Sequence, residues 1–144
     1  MGNKAVVLVD INILMDILQH REPFYESCAH LLDLIVNGSL TGWIAAHSLT
    51  TLHYLIAKNH SISESRKILS NLLNHFSVAQ VDQIVIKRAL ELEYKDFEGS
   101  VQMICAVQCK ADYLITRNVK DYQPALLSVL QPVDFLAIFS QNNT

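Results

Sequence analysis

The sequence predicts an α/β fold organised around a short parallel sheet. Its first strong pattern is Val6-Val7-Leu8-Val9, a run of aliphatic residues that leads into Asp10. A run that is apolar at every position is typical of a strand covered on both faces, as in a parallel sheet. Further short apolar runs alternate with longer segments of helical periodicity, as expected when helices connect parallel strands. The sequence has no repeat or linker, so we predict one domain over residues 1–144, with a polar tail at 140–144.

The first half of the chain is expected to add two strands and four helices. Ser48 is a candidate cap for the third helix, and Ser61 followed by Glu64 is a capping-box pattern that predicts where the fourth begins. The predicted elements are a helix opening over Ile13–Leu18, a helix over Phe24–Ile35, a strand over Leu40–Ala46, a helix over Leu49–Lys58, a helix with apolar residues from Ile68 to Phe76, and a strand over Ser77–Val81.

The second half repeats this alternation. Asp82 is a candidate cap for the first of its helices. The predicted elements are a helix with apolar residues from Ile84 to Leu92, a break at Asp96–Gly99, a helix over Ser100–Lys110, a strand over Ala111–Thr116, a polar loop over Arg117–Tyr122, a helical turn over Pro124–Ser128, a strand at Val129–Leu130 and a helix over Pro132–Phe139.

Composition narrows the class of protein. The hydrophobic fraction of 51% argues against disorder, and the net charge of −3 argues against a broadly basic protein that coats nucleic acid. We expect no membrane association, because no apolar run approaches the roughly 20 residues that span a bilayer. The first strand leaves no room for a secretory signal, and the three cysteines form no CxxC pair, which favours a reduced, cytoplasmic protein.

Polar residues follow the ends of several predicted elements that should meet at one edge of the sheet. Parallel sheets bind ligands at the carboxyl ends of their strands. Oxygen ligands without accompanying His or Cys favour Mg²⁺ or Mn²⁺, whose usual task is phosphoryl transfer to water. The residues that could converge there are Asp10, Asp96, Glu98, Thr116, Asn118 and Asp121.

Each of these acids also has a structural alternative. Asp10 and Asp96 could cap the helices that follow them, and Asp121 could be a turn residue before Tyr122. Glu98 could point to solvent or pair with Lys95, and Asp16 could lie near the cleft, or be solvated or capping. Thr116 could donate a hydrogen bond to Asp10 or be an ordinary strand terminus.

Three segments together resemble the PIN-domain family of metal-dependent nucleases, which includes bacterial VapC-type toxins. They are Leu8–Leu14, Asp96–Glu98 with the helix that follows, and Ala111–Asn118. The resemblance covers Ala5 to about Phe139. It implies a three-layer α/β/α sandwich around a short parallel sheet. It also implies a site of three or four acidic residues around one or two divalent ions.

Carried onto this sequence, the family's acidic set is incomplete. Asp10 matches the first acid and Asn12 the polar residue beside it, whereas Thr51 and Gly99 stand at the second and third acidic positions. Asn118 stands at the fourth, with Asp121 nearby. The resemblance thus implies a metal site on Asp10, Asn118 and Asp121, with Asp96 as a substitute third catalytic carboxylate.

The resemblance leaves two functions open, and with them the question of whether the chain is an enzyme. One is a Mg²⁺- or Mn²⁺-dependent endoribonuclease, of weakened or lost activity, in a toxin–antitoxin pair. The other is a non-catalytic module that binds RNA or a protein, with no metal bound. In either case RNA, an antitoxin or other protein, and a second copy of the chain are the expected partners. The candidate RNA contacts are Asn12, Thr116, Arg117 and Lys120, although the charged ones could be ordinary solvated loop residues.

Overall fold

A five-stranded, fully parallel sheet forms the centre of the protein. The computed structural model describes residues 4–142. The strands lie in the order β3-β2-β1-β4-β5. Their bounds are β1 Val6–Val9, β2 Thr41–Ala45, β3 Phe76–Ala79, β4 Tyr113–Ile115 and β5 Ser128–Leu130. The parallel sheet expected from the short apolar runs is confirmed.

Helices connect the strands and cover both faces of the sheet. Their bounds are α1 Ile11–Leu18, α2 Tyr25–Val36, α3 Ala46–Asn59, α4 Ile62–Leu72, α5 Gln83–Ala89, α6 Phe97–Gln108 and α7 Pro132–Asn142, with a single 3₁₀ turn at Val119–Asp121. Within residues 4–142, no helix is both long enough and apolar enough to cross a bilayer.

The central strand β1 separates two hydrophobic cores. Val7 and Val9 are fully buried on one face, together with apolar residues of α1, α2, α3 and α7. Leu8 is fully buried on the other face, against α5 and α6. Successive side chains of a strand point to opposite faces, so a strand that is buried on both sides must be apolar at every position. These two cores make the fold the three-layer α/β/α sandwich that the family resemblance implied.

The strand order creates a crevice beside β1. The chain runs from β1 outward to β2 and β3, then returns to the other side of β1 to form β4. The point where the order reverses is where open α/β sheets hold their ligands. The amide of Asp10 donates to the carbonyl of Ile115 at 3.0 Å, which carries the β1–β4 pairing one residue beyond the strands. Asp10 and Thr116 therefore lie side by side at this reversal.

Three predicted helix caps are present besides Asp10, which caps α1. The side chains of Ser61, Asp82 and Asp96 each accept a hydrogen bond from a backbone N–H in the first turn of the helix that follows. The predicted cap at Ser48 is wrong. Helix α3 begins two residues earlier, directly after β2, so Ser48 lies inside its first turn. The hydroxyl of Ser48 donates instead to a side chain of α6.

Two expectations near the C-terminus also need correction. Residues 124–128 form no helical turn, and the carbonyl of Pro124 there accepts a hydrogen bond from the Tyr94 hydroxyl. The last helix extends to Asn142, so most of the expected polar tail at 140–144 is helical, while residues 143–144 lie outside the described part.

Candidate active site

A small cavity of about 200 Å³ opens at the carboxyl end of the sheet. Side chains from α1, α3, α6 and the segment after β4 line it. Eight of the candidate site residues from the sequence are among them: Asp10, Asn12, Thr51, Asp96, Glu98, Gly99, Asn118 and Asp121. The convergence expected from the strand ends is therefore present, and we call this cavity the acidic pocket.

Asp10 has two functions in the structure. Its Oδ1 accepts a hydrogen bond from the amide of Asn12 at 3.2 Å, which caps α1. Its Oδ2 accepts one from the Thr116 hydroxyl at 2.8 Å. Only 8% of Asp10 is exposed, so these two donors hold a nearly buried carboxylate in a fixed orientation. The capping role and the place in the pocket, which were alternatives in the sequence, occur together.

Thr116 is a structural residue of the pocket. Its side chain is fully buried, and its Oγ1 also accepts a hydrogen bond from the amide of Asn118 at 3.1 Å. The expectation that Thr116 contacts RNA is therefore wrong, because a fully buried hydroxyl has no surface to offer. The hydrogen bond to Asp10, its other expected role, is present.

The two positions that lack the family's acids both face the pocket. Thr51 lies on α3, and Gly99 lies in the first turn of α6. A Cβ atom built on Gly99 would lie 3.6 Å from Cε1 of Tyr122 and 3.8 Å from Oδ2 of Asp96, which are ordinary van der Waals distances. A Cβ atom therefore fits at position 99 without displacing its neighbours.

The remaining acids do not make a complete metal centre. Asp10, Asp96, Glu98 and Asp121 line the same pocket, but among residues 4–142 no three Asp, Glu, His or Cys side chains are grouped closely enough to hold an ion. A divalent ion is held largely by the negative charge of its ligands, so losing two carboxylates weakens its binding. The residues present do not fit the family's usual metal site.

A chain of uncharged side chains also lines the pocket, and the sequence analysis missed it. The Ser48 hydroxyl donates to Oε1 of Gln102 at 3.3 Å, and Nε2 of Gln102 donates to the Tyr122 hydroxyl at 2.7 Å. Burial raises the pKa of Tyr122, and the charge of Asp10 raises it further, so this phenol stays neutral. The available signal was Gln102 itself, an amide within the otherwise apolar run from Val101 to Ala106.

Arg117, an expected RNA contact, is held in an ion pair. Its Nε lies 2.7 Å from Oδ2 of Asp16, and its guanidinium carbon lies 4.4 Å from the ring centroid of Phe24. Asp16 is fully buried, so it is not solvated, and its carboxylate accepts from the side chains of Arg21 and Cys28 and not from a helix amide. Lys120 is exposed on the 3₁₀ turn, and neither it nor Arg117 lines the acidic pocket.

The fold and the pocket together define a class of protein: a doubly wound α/β/α sandwich with an acidic pocket at the switch point of its sheet. Residues 6–120 match the model of the PIN domain, and the chain belongs to the PIN-domain family. A search of curated proteins found no match.

Solved structures with the same fold include toxin–antitoxin proteins. A toxin–antitoxin complex from Klebsiella pneumoniae aligns with a TM-score of 0.68 and 24% identity, covering 88% of this chain and 97% of the other. VapBC2 from Rickettsia felis, bound to a DNA fragment from its promoter, gives 0.63 and 18%, with coverage of 88% and 97%. VapC20 from Mycobacterium tuberculosis, a toxin that cleaves the sarcin-ricin loop, gives 0.59 and 12%, with coverage of 75% and 86%.

Proposed function

We propose that this chain is a PIN-domain protein of the toxin–antitoxin type whose metal-dependent endoribonuclease activity is strongly reduced or lost. The observation that carries the proposal is the state of the acidic pocket. It keeps Asp10, Asp96 and Asp121, while Thr51 and Gly99 occupy positions that face the same cavity without a charge.

The metal would be Mg²⁺ or Mn²⁺ if the protein is active. Such an ion supplies a water of lowered pKa and neutralises charge on the leaving phosphate. In this chain Asp10 is held ready by Asn12 and Thr116, and Asn118 adds a neutral oxygen. Asp96 is tied to the amide of Glu98 at 3.2 Å as the cap of α6. Asp10 makes a capping bond of the same kind, so the cap leaves Asp96 available as a substitute for the missing third acid.

The expected partners are an antitoxin-like protein and RNA. Several structures with this fold are toxin–antitoxin complexes, and VapC20 cleaves an RNA loop, which supports both inferences by analogy of fold. Asn12 and the exposed Lys120 remain the candidate RNA contacts. We further propose that residues 1–144 act as one domain, as a homodimer, in the cytoplasm.

A second candidate function is a non-catalytic module that binds RNA or a protein through the same pocket. The side chains of Ser48, Gln102 and Tyr122 favour it, because they line the pocket with uncharged hydrogen-bonding groups. A binding module needs only a stable pocket, whereas an enzyme also needs the missing charge.

Cleavage of a mixed pool of single-stranded RNA, with Mn²⁺ or with EDTA, separates the two functions. Asp10→Asn is the control, because Asn is as good a helix cap as Asp and α1 keeps its start. Slow Mn²⁺-dependent cleavage that disappears in the control supports a weakened nuclease. RNA binding by titration without cleavage supports the module. Cleavage at the rate of a PIN nuclease with all its acids would contradict the proposed loss.

A further inference from the structure

The segment after β4 alternates between two environments. Thr116 donates a hydrogen bond to Asp10, and Asn118 lines the acidic pocket. Arg117 lies between them in sequence but does not line the pocket, and it reaches Asp16 on α1 instead. A residue held in this way constrains both of its neighbours, because the backbone passes through it.

Asp16 is the centre of a buried polar cluster that joins three parts of the chain. Besides Arg117, its carboxylate lies 3.5 Å from a guanidinium nitrogen of Arg21 in the loop after α1. The thiol of Cys28 on α2 donates to it at 3.9 Å. The Arg117 side chain is 23% exposed and also covers the ring of Phe24, so it is enclosed on two sides. The cluster therefore connects α1, α2 and the segment after β4.

This ion pair is a poor source of stability. Burial raises the pKa of the Asp16 carboxyl, even though both nearby arginines pull it downward. Desolvation thus outweighs attraction, as is common for buried ion pairs. The pair joins the segment after β4 to α1, so it constrains the geometry of both.

We propose that Arg117 and Asp16 are positioning residues of the acidic pocket. Their ion pair holds the segment after β4 so that the Thr116 hydroxyl meets Asp10 and Asn118 faces the cavity. This role is independent of the proposed function, because it concerns the shape of the pocket and not what the pocket does.

The test is NMR of the free protein without RNA or metal. The signals to follow are the Asn118 amide and the ¹³C carboxyl resonance of Asp10. In Arg117→Gln we expect the Asn118 amide to exchange at least about tenfold faster, because its bond to Thr116 opens more often. The Asp10 resonance should shift in the same variant. Asp16→Asn should reproduce both effects, and the double variant should add little, because the two residues act as a unit.

Three further variants make the result specific. Arg117→Lys should show a smaller change in both signals than Arg117→Gln, since lysine keeps the charge but loses the planar fork of the guanidinium. Arg66→Gln removes an exposed arginine of α4 and should change neither signal. Phe76→Leu removes core volume in the edge strand β3, so it lowers global stability away from the pocket.

Two outcomes would overturn the proposal. If Phe76→Leu alters the two pocket signals as much as Arg117→Gln does, the effect is general destabilisation. If Arg117→Gln leaves both signals unchanged, the pair does not position the pocket. In that second case, a loss of RNA affinity in Arg117→Gln would indicate that Arg117 contacts phosphate. Because no nuclease activity enters the measurement, failure here leaves the proposed function untouched.

Discussion

The variant Gly99→Asp restores one of the missing acids. It is the most direct test of our interpretation of the acidic pocket. Gly99 is the third residue of α6 and has an ordinary backbone conformation. Replacing glycine there gains a few tenths of a kcal/mol in helix propensity, and a negative charge in a first turn adds about 0.3–1 kcal/mol. The new carboxylate also repels Asp96, whose Oδ2 lies 3.8 Å from the added Cβ.

That repulsion affects the stability of the variant before any metal is added. Two unit charges roughly 5 Å apart repel by about 1 kcal/mol in bulk water and about 3 kcal/mol at an effective dielectric constant of 20. Asp96 is exposed, which favours the lower value. Without metal, Gly99→Asp should therefore be close to the wild-type protein in stability, or slightly less stable.

Added Mn²⁺ should reverse this balance. The new carboxylate would share the pocket with Asp10 and Asp121, so the ion gains a third anionic ligand. If the metal concentration is a hundred times the dissociation constant, binding stabilises the folded state by about 2.7 kcal/mol. For a chain of this size that corresponds to a rise in Tm of roughly 5–10 °C.

Thermal unfolding with Mn²⁺ or EDTA measures the shift, and electron paramagnetic resonance of Mn²⁺ measures binding directly. Gly99→Asn is the matched control, since it has the same shape without the charge. Thr51→Glu combined with Gly99→Asp should bind more tightly than Gly99→Asp alone. Equal Mn²⁺ responses in Gly99→Asp and Gly99→Asn would refute the placement of position 99, as would failure of the double variant to bind Mn²⁺.

Three further predictions concern other parts of the structure. In Gly42→Ala the new Cβ would lie 2.9 Å from Cε1 of Phe76, so overpacking should lower the free energy of unfolding by about 1–3 kcal/mol in urea titration, and no loss would contradict the tight contact. Burial raises the pKa of Asp16 above its usual 3.8, so the folded state holds this proton more tightly and the linked stability falls as pH rises through the folded pKa. The free energy of unfolding of the wild type minus that of Asp16→Asn should decrease between about pH 3 and pH 7, and an increase would reverse the assigned sign. Asp121 caps no helix, so Asp121→Asn should change stability by less than about 0.5 kcal/mol while abolishing any Mn²⁺-dependent RNA cleavage; unchanged cleavage would remove Asp121 from the site.

The parts of the fold that were predictable depend on neighbours in sequence. A strand buried on both faces is apolar at every position, so Val6–Val9 identified the central strand of a parallel sheet. The caps at Ser61, Asp82 and Asp96 depend on amides only two or three residues away. Ser48 has the same local pattern but lies inside the helix, because β2 leads into α3 without a loop.

The parts that were not predictable depend on pairs far apart in sequence. Ser48 and Gln102 are separated by 54 positions, and nothing near either residue indicates the other. Arg117 looked like a phosphate contact because it follows a strand end in a polar loop. Its partner Asp16 lies on α1, far away in the sequence, and only the folded chain brings the two within 2.7 Å. Distance in sequence, not chemical type, is what hid these contacts.

The retained and missing acids differ in what else they do. Asp10 caps α1, and Asp96 caps α6, so losing either would cost about 1 kcal/mol of stability even in a protein that binds no metal. Thr51 and Gly99 stand at positions that cap no helix, where an acid would contribute charge to the pocket but no capping hydrogen bond. A chain no longer dependent on a metal would keep the first pair and tolerate loss of the second. The presence of Asp10 and Asp96 is therefore weak support for nuclease chemistry, and Asp121, which has no capping role, is the retained acid that best discriminates between the two functions.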